Sequence, residues 1–330
     1  MKKHGKAIAA FTAVIAGLFV LFFLSVNLGS IRLTVPQLLR GLFVEYDRDV
    51  ASVYDLRFPR ILISMMGGAS LAVAGALFQA VLKNPLADPG LLGISSGAGF
   101  AAVLSTMLFP QLFFMTPLFS FMGGMLVFFL IYSMAWKGTL SPLRIILLGI
   151  AMQALFTGLS EALGSMSMGS ISGVASIVEG NITMKTWQDV HLMAVVAGIG
   201  LILALLSAKW CNLCGLEDRT VRGLGVDIDK VRFFVSIVAV FLVGGCTAIV
   251  GPVSFIGLLV PHIGRIFVGS DHRRLLPFSA LAGALLFLLA DTLGRTLIRP
   301  HEMNASVILA VVGGIAFILL LRKGGGVYGK

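Results

Sequence analysis

Several residue types in this chain could do chemistry, so each is tested first. Cys211 and Cys214 form a C-x-x-C. That pattern suits half a zinc site or a redox pair, but no second pair or nearby histidine completes it. The chain ends Gly324-Gly-Gly-Val-Tyr-Gly-Lys330, which spells the first seven positions of a phosphate-binding loop. The Ser or Thr and the helix that would follow are missing, so it reads as a basic tail. His4, His191, His262, His272 and His301 are scattered, and no H-E-x-x-H occurs. Glu161 and Asp291 sit in apolar runs, where an acid is a functional candidate by default. A proton relay would use such groups. Asp291 lies one turn from Arg295, which favours an ion pair, and Glu161 lies near the end of its run, where it can reach water. The densest polar stretch is Cys211–Lys230, an island with Glu217, Asp218, Arg219, Arg222, Asp227, Asp229 and Lys230. No catalytic constellation, resident metal site or nucleic-acid patch emerges.

The elements that must position these groups are membrane helices. The 330 residues are 58% hydrophobic and only 12% charged, with mean hydropathy +0.99. A soluble surface of this size needs more charge, so lipid must cover it. Apolar runs predict ten spans, at 7–28, 58–82, 91–108, 113–135, 142–166, 188–207, 231–250, 254–269, 275–297 and 305–321. The runs at 91–108 and 254–269 are short for a hydrocarbon core of about 30 Å. Ala7–Val26 reads as a retained first span, because its apolar run exceeds that of a signal peptide and no cleavage site follows. An even count puts both termini on one side. With that side cytoplasmic, inner segments hold seventeen Lys and Arg and outer segments eight, as the positive-inside rule asks. The island is then cytoplasmic. Seven charges inside the bilayer would cost on the order of 20 kcal/mol.

Two segments repeat. Asn84–Ile94 and Gly251–Ile263 both read P-x4-G-L-L, from Pro85 to Leu92 and from Pro252 to Leu259. Each follows a full-length span and opens a short one. Five spans separate them, so they approach the membrane from opposite sides, as in an inverted-topology repeat of spans two to five against seven to ten.

Together these stretches resemble the FecCD family of ABC importer permeases, which carry ferric siderophores, haem or cobalamin into bacteria. The resemblance runs through Arg57-Phe-Pro-Arg60, Gly67–Ala98, Gly251–Arg265, Asp271–Pro277 and Leu289–Arg295, nearly the whole chain. It implies an all-α, ten-helix polytopic permease, a single transmembrane domain over 1–330, in the bacterial cytoplasmic membrane. Its expected partners are a second permease subunit, identical or paralogous, two cytoplasmic ABC ATPases and an extracytoplasmic binding protein. The chain itself would be no enzyme and hold no cofactor, the partner binding the ATP. The expected cargo is a ferric siderophore, with haem or cobalamin as the alternative. An ion-coupled secondary carrier and a non-transporting scaffold remain as rivals.

The resemblance also assigns sites. Arg57, Arg60 and Arg295 would dock acidic residues of the binding protein, since Arg–carboxylate pairs give geometry as well as charge. The fifth and tenth spans would line the pathway, with Gly149, Ala154, Gly158 and Ala162 on one and Gly313 and Gly314 on the other. Thr139 and Ser141 match the inner gate region. The island would contact the ATPase. Its own pattern agrees, because Leu213, Leu216, Thr220 and Leu224 recur at helical spacing. Gly215, Gly223 and Gly225 break it into two short helices. Such helices need a surface to lie on. Leu213, Leu216, Val221 and Leu224 are expected to supply affinity, each worth about 1.5–3 kcal/mol when buried. Glu217, Arg219 and Arg222 would set orientation.

Overall fold

The computed structural model describes residues 2–28, 33–45, 47–90, 92–137, 139–140, 142–166, 180–298 and 301–324. The ten expected spans are all helices. They are α1 (Lys2–Asn27), α4 (Phe58–Val81), α5 (Ile94–Leu108), α6 (Thr116–Ala135), α7 (Pro142–Met166), α8 (Trp187–Leu206), α11 (Ile228–Val250), α12 (Ile256–Val268), α13 (His272–Thr296) and α14 (Ala305–Gly324). Seven are long and apolar enough to cross a membrane. α5, α12 and the described apolar part of α14 are shorter. Between α1 and α4 lie two helices the sequence reading passed over, α2 (Val35–Phe43) and α3 (Arg48–Leu56). At nine residues each is too short to cross a membrane by itself, and both start on side-chain caps. The Thr34 hydroxyl accepts from the Gln37 amide, and the Asp47 carboxylate accepts from the amides of Asp49 and Val50. A two-residue hairpin pairs Trp136–Lys137 (β1) with Thr139–Leu140 (β2).

α4 is the hub and packs against α13, α11, α8 and α12. The apolar stretch that includes it is 83% buried, against 17% for those of α1 and α7. Lipid tails are as apolar as leucine, so close packing rather than water exclusion must hold such helices together. α4 achieves it with glycine. A Cβ on Gly68 would collide with the Gly283 carbonyl oxygen of α13, and one on Gly75 would collide with that of Gly257 on α12. At both places backbone meets backbone. α5 packs on α6, α7 and α11, and α1 lies outside, against α13.

The repeat is visible in three dimensions. α5 and α12 both start from a left-handed residue, Gly93 at φ +72° and Phe255 at φ +71°. Gly93 takes that conformation freely, whereas a bulky side chain there costs roughly 1–3 kcal/mol. Each start abuts a glycine of the last helix of its half. A Cβ on Gly93 would be 2.8 Å from the Gly149 carbonyl oxygen of α7, and one on Gly313 of α14 would be 2.5 Å from the Phe255 Cβ. The two loops were expected to approach from opposite sides, and they meet inside the bundle. A Cβ on Gly90 would lie 2.9 Å from the Ser254 hydroxyl. Both short helices start late, so their loops dip inward and touch.

The island forms two short helices, α9 (Ala208–Cys214) and α10 (Asp218–Gly223). Gly215 closes the first, and Gly225, at φ +77°, lets the chain turn after the second.

Candidate functional site

At the island end, Val221 has 0% exposure and packs in the main core cluster with Cys211, Cys214 and Ile228. This corrects its expected role, because a side chain buried in its own bundle has no face for a partner. Gly215 breaks the helix before the stripe repeats, so the second helix turns Val221 inward. Leu216 and Leu224 remain exposed, at 44% and 64%, and Leu213 is half-buried. Glu217, Arg219, Arg222, Gly223 and Gly225 are exposed. The island therefore presents two leucines in a polar surround and anchors itself through Val221 and the cysteines. Burial pushes the Cys211 thiol up to about 12 and the Cys214 thiol to about 11. At neutral pH both stay protonated and inert, so the C-x-x-C is packing.

Side chains outside the expected set clamp the island. Lys83, just past α4, donates from Nζ to the Leu216 carbonyl at 2.5 Å and to Asp218 Oδ1 at 2.8 Å. Arg232 on α11 donates two bonds to the same carboxylate, at 3.1 and 2.8 Å. The bond from Lys83 and those from Arg232 outweigh desolvation and hold the Asp218 carboxyl below its ordinary range. On the other side Asn212 donates to Asp271 at 2.7 Å, and its Oδ1 accepts from the His272 amide at 2.9 Å. The bond from Asn212 likewise lowers the Asp271 carboxyl. The island is thus tied both to the turn after α4 and to the start of α13.

Between the two repeated motifs sits Gln79, 3% exposed. Its Nε2 donates towards the carbonyls of Ala87, Gly257 and Leu258 at 3.0–3.4 Å, and its Oε1 accepts from Arg265 at 2.6 Å. One amide joins the first motif, the second motif and α12. The sequence reading missed it, although a lone glutamine in an apolar helix is a signal, since a buried amide must find partners.

At the far end the three expected docking arginines form one cluster. Arg60 donates from Nε to Asp291 at 2.8 Å and from Nη1 to Glu302 at 2.6 Å. Arg295 approaches the other Asp291 oxygen at 3.3 Å, which realises the ion pair expected from their spacing. Arg57 donates to the Val26 carbonyl at 2.5 Å. Arg60 and Asp291 are nearly inaccessible, with side chains 6% and 0% exposed, while Glu302 is 43% exposed. The arginines expected to dock a partner's acids instead meet carboxylates of their own chain in a largely buried network. Asp291 and Glu302 supply those carboxylates, and of the two Glu302 is the one that reaches the surface. Burial raises the Glu302 carboxyl, but the bond from Arg60 and the neighbouring guanidinium charges outweigh it, so it stays below its ordinary range.

The pathway candidates divide. Gly149 and Gly313 are packed against Gly93 and Phe255. A Cβ on Gly158 or Gly314 would meet nothing within 4 Å, and Ala154 and Ala162 are exposed. The first two glycines are explained by packing, and the other positions face open space. Thr139 lies in β2, and Ser141 falls outside the described residues.

The chain has clear relatives. The model of the FecCD transport family matches residues 17–323. A protein named as a probable heme-iron transport system permease protein, IsdF of Staphylococcus aureus strains MSSA476 and MW2, is 42% identical over 299 residues, 91% of this chain and 91% of that protein. Among solved structures, a metal-chelate type ABC transporter in an inward-facing conformation superposes with a TM-score of 0.78 at 26% identity, covering 94% of this chain and 98% of that one. PsaBC from Streptococcus pneumoniae, in complex with Fab, gives 0.60 at 15% identity over 87% and 95%, a likeness of fold alone.

Proposed function

Because the chain belongs to the FecCD transport family, and is therefore a multi-pass permease of an ABC importer, we propose that it carries an iron chelate inward, with haem the first candidate. The observation that supports haem over the siderophore expected from sequence is the near full-length identity to a permease named for haem-iron. A ferric siderophore is the second reading, favoured by the likeness to a metal-chelate type transporter. The metal arrives inside the cargo, and the chain needs no cofactor of its own.

In this reading a second permease subunit completes the pathway, two ABC ATPases dock at the island end, and a binding protein delivers cargo at the far end. Both termini and the island are cytoplasmic. Leu216 and Leu224 enter a groove on the ATPase, while Glu217, Arg219 and Arg222 orient it. Motion of the ATPase reaches α4 and α11 through Lys83, Asp218 and Arg232, and reaches α13 through Asn212. The helices then alternate the cavity between the two sides. At the far end Glu302 and the arginine cluster behind it lie at the docking surface, where rim charges steer encounter more than they add affinity. Thr139, Ser141, Ala154, Gly158 and Gly314 are the gate and pathway positions.

The test is uptake by proteoliposomes that contain this permease, its co-encoded ATPase and a loaded binding protein. ATP-dependent accumulation of haem, absent without the ATPase, is the expected result. Accumulation of a ferric siderophore but not haem selects the second reading. Gradient-driven uptake by this chain alone would sink both.

A further inference from the structure

One face of α7 does not suit lipid. At about 100° per residue, Gln153, Thr157, Ser160 and Glu161 fall within an arc of about 100°. Thr157 and Glu161 are exposed, and Gln153 and Ser160 half-buried. The opposite flank carries Leu155 and Leu159, also exposed. A carboxylate and a hydroxyl facing hydrocarbon are costly, and intramembrane acids almost always face a bundle interior or a water-filled cavity.

A second observation lies beside it. Thr157, Ser160 and Glu161 share a cleft of about 60 Å³ with Ser96 and Val103 of α5 and with Pro252 of the second motif. That is room for about two waters. The cleft is polar on both sides, with the Ser96 hydroxyl of α5 facing the Thr157, Ser160 and Glu161 side of α7. Behind the lining, the buried hydroxyls of Ser95, next in sequence to Ser96, and of Thr247, whose methyl lies against Gly99, have no hydrogen-bond partner among the described residues.

We propose that this face lines a water-filled stretch of the substrate path, and that Glu161 makes the stretch selective by charge. Ligand groups that are cationic or rich in hydrogen-bond donors pass beside Glu161. Chelates of high negative charge are disfavoured there against less anionic ones, because a carboxylate in a narrow, poorly screened cleft repels them more strongly. The inference rests on the transport reading, since a second subunit must enclose the face. It adds a discrimination by ligand charge to that reading.

The experiment is cysteine accessibility in the assembled transporter. T157C and, as a second site, S160C are made in the complex with its ATPase in liposomes. Each is labelled from water with a cationic and with an anionic methanethiosulfonate. The three native cysteines are buried, so wild type sets the background. The expected result is labelling above background, with the cationic reagent favoured on the order of 10-fold. E161Q should bring that preference back to the ratio of a free thiol. No labelling by either reagent at both sites overturns the proposal, as does a preference that survives E161Q. ATP-dependent uptake by the same liposomes is measured in parallel. Uptake without labelling removes this inference alone, and loss of uptake in wild type removes the transport reading.

Discussion

Both ends of the bundle hold an ion network, and the two are built differently. At the far end Arg60 and Asp291 are nearly sealed, with side chains 6% and 0% exposed. At the island end Lys83 and Asp218 are 35% and 42% exposed. A sealed pair must stay complete, because removing one partner strands a charge away from water. An exposed pair gains little and loses little, because water replaces either partner. The far end is thus fixed, and the island end can let go and re-form. That would suit the proposed coupling, in which the island passes on a partner's motion while the far end keeps its shape.

The contrast can be broken by mutation. R60A should destabilise the purified protein by about 3–5 kcal/mol, read from thermal unfolding in detergent, because Asp291 loses a direct partner in a sealed site. A loss under about 1 kcal/mol would mean that water reaches the cluster. D218A, which releases both Lys83 and Arg232, should cost about 1 kcal/mol. If it costs as much as R60A, the two ends do not differ.

Acid sharpens the comparison. The Asp218, Asp271 and Glu302 carboxyls are all depressed in the folded chain. Their stabilisation is present above the unfolded values near pH 4 and is lost as pH falls through the folded ones. The contribution of these carboxyls to the unfolding temperature should be constant from neutrality to about pH 4.5 and fall below it. The acid loss should shrink more in E302Q than in D271N, because only Glu302 partners a sealed arginine. L224D should be the mildest for stability, within about 0.5 kcal/mol. It should nonetheless abolish ATP-dependent uptake, since Leu224 is exposed and is proposed to enter the groove of the ATPase. Normal uptake by L224D would remove the docking assignment.

How much of this was legible depended on the range of the signal. The ten helices were readable because each apolar run is local, and Gly215 and Gly225 marked the breaks in the island. Val221 was misassigned because the leucine stripe was read as one exposed face, whereas the turn at Gly215 rotates the next helix. The arginine cluster was half readable. Asp291 and Arg295 are one turn apart, but Arg60 is 231 residues from Asp291, and only the fold joins them. Gln79 was visible as an odd polar residue, yet its three carbonyl partners lie on two motifs. The meeting of those motifs could not be read from span counting, which gives the side a loop starts from and not its depth.

The glycine contacts of α4 have one more consequence. Where Gly68 meets Gly283 and Gly75 meets Gly257, the surfaces are bare backbone. Such a seam has no rotamers to lose on assembly and none to rearrange under load, so it behaves as a stiff bearing rather than a cushion. Strain applied at one end of the molecule cannot be absorbed there. It is passed to the helices with the least packing, and α7, with 17% of its apolar stretch buried, is where the bundle can give.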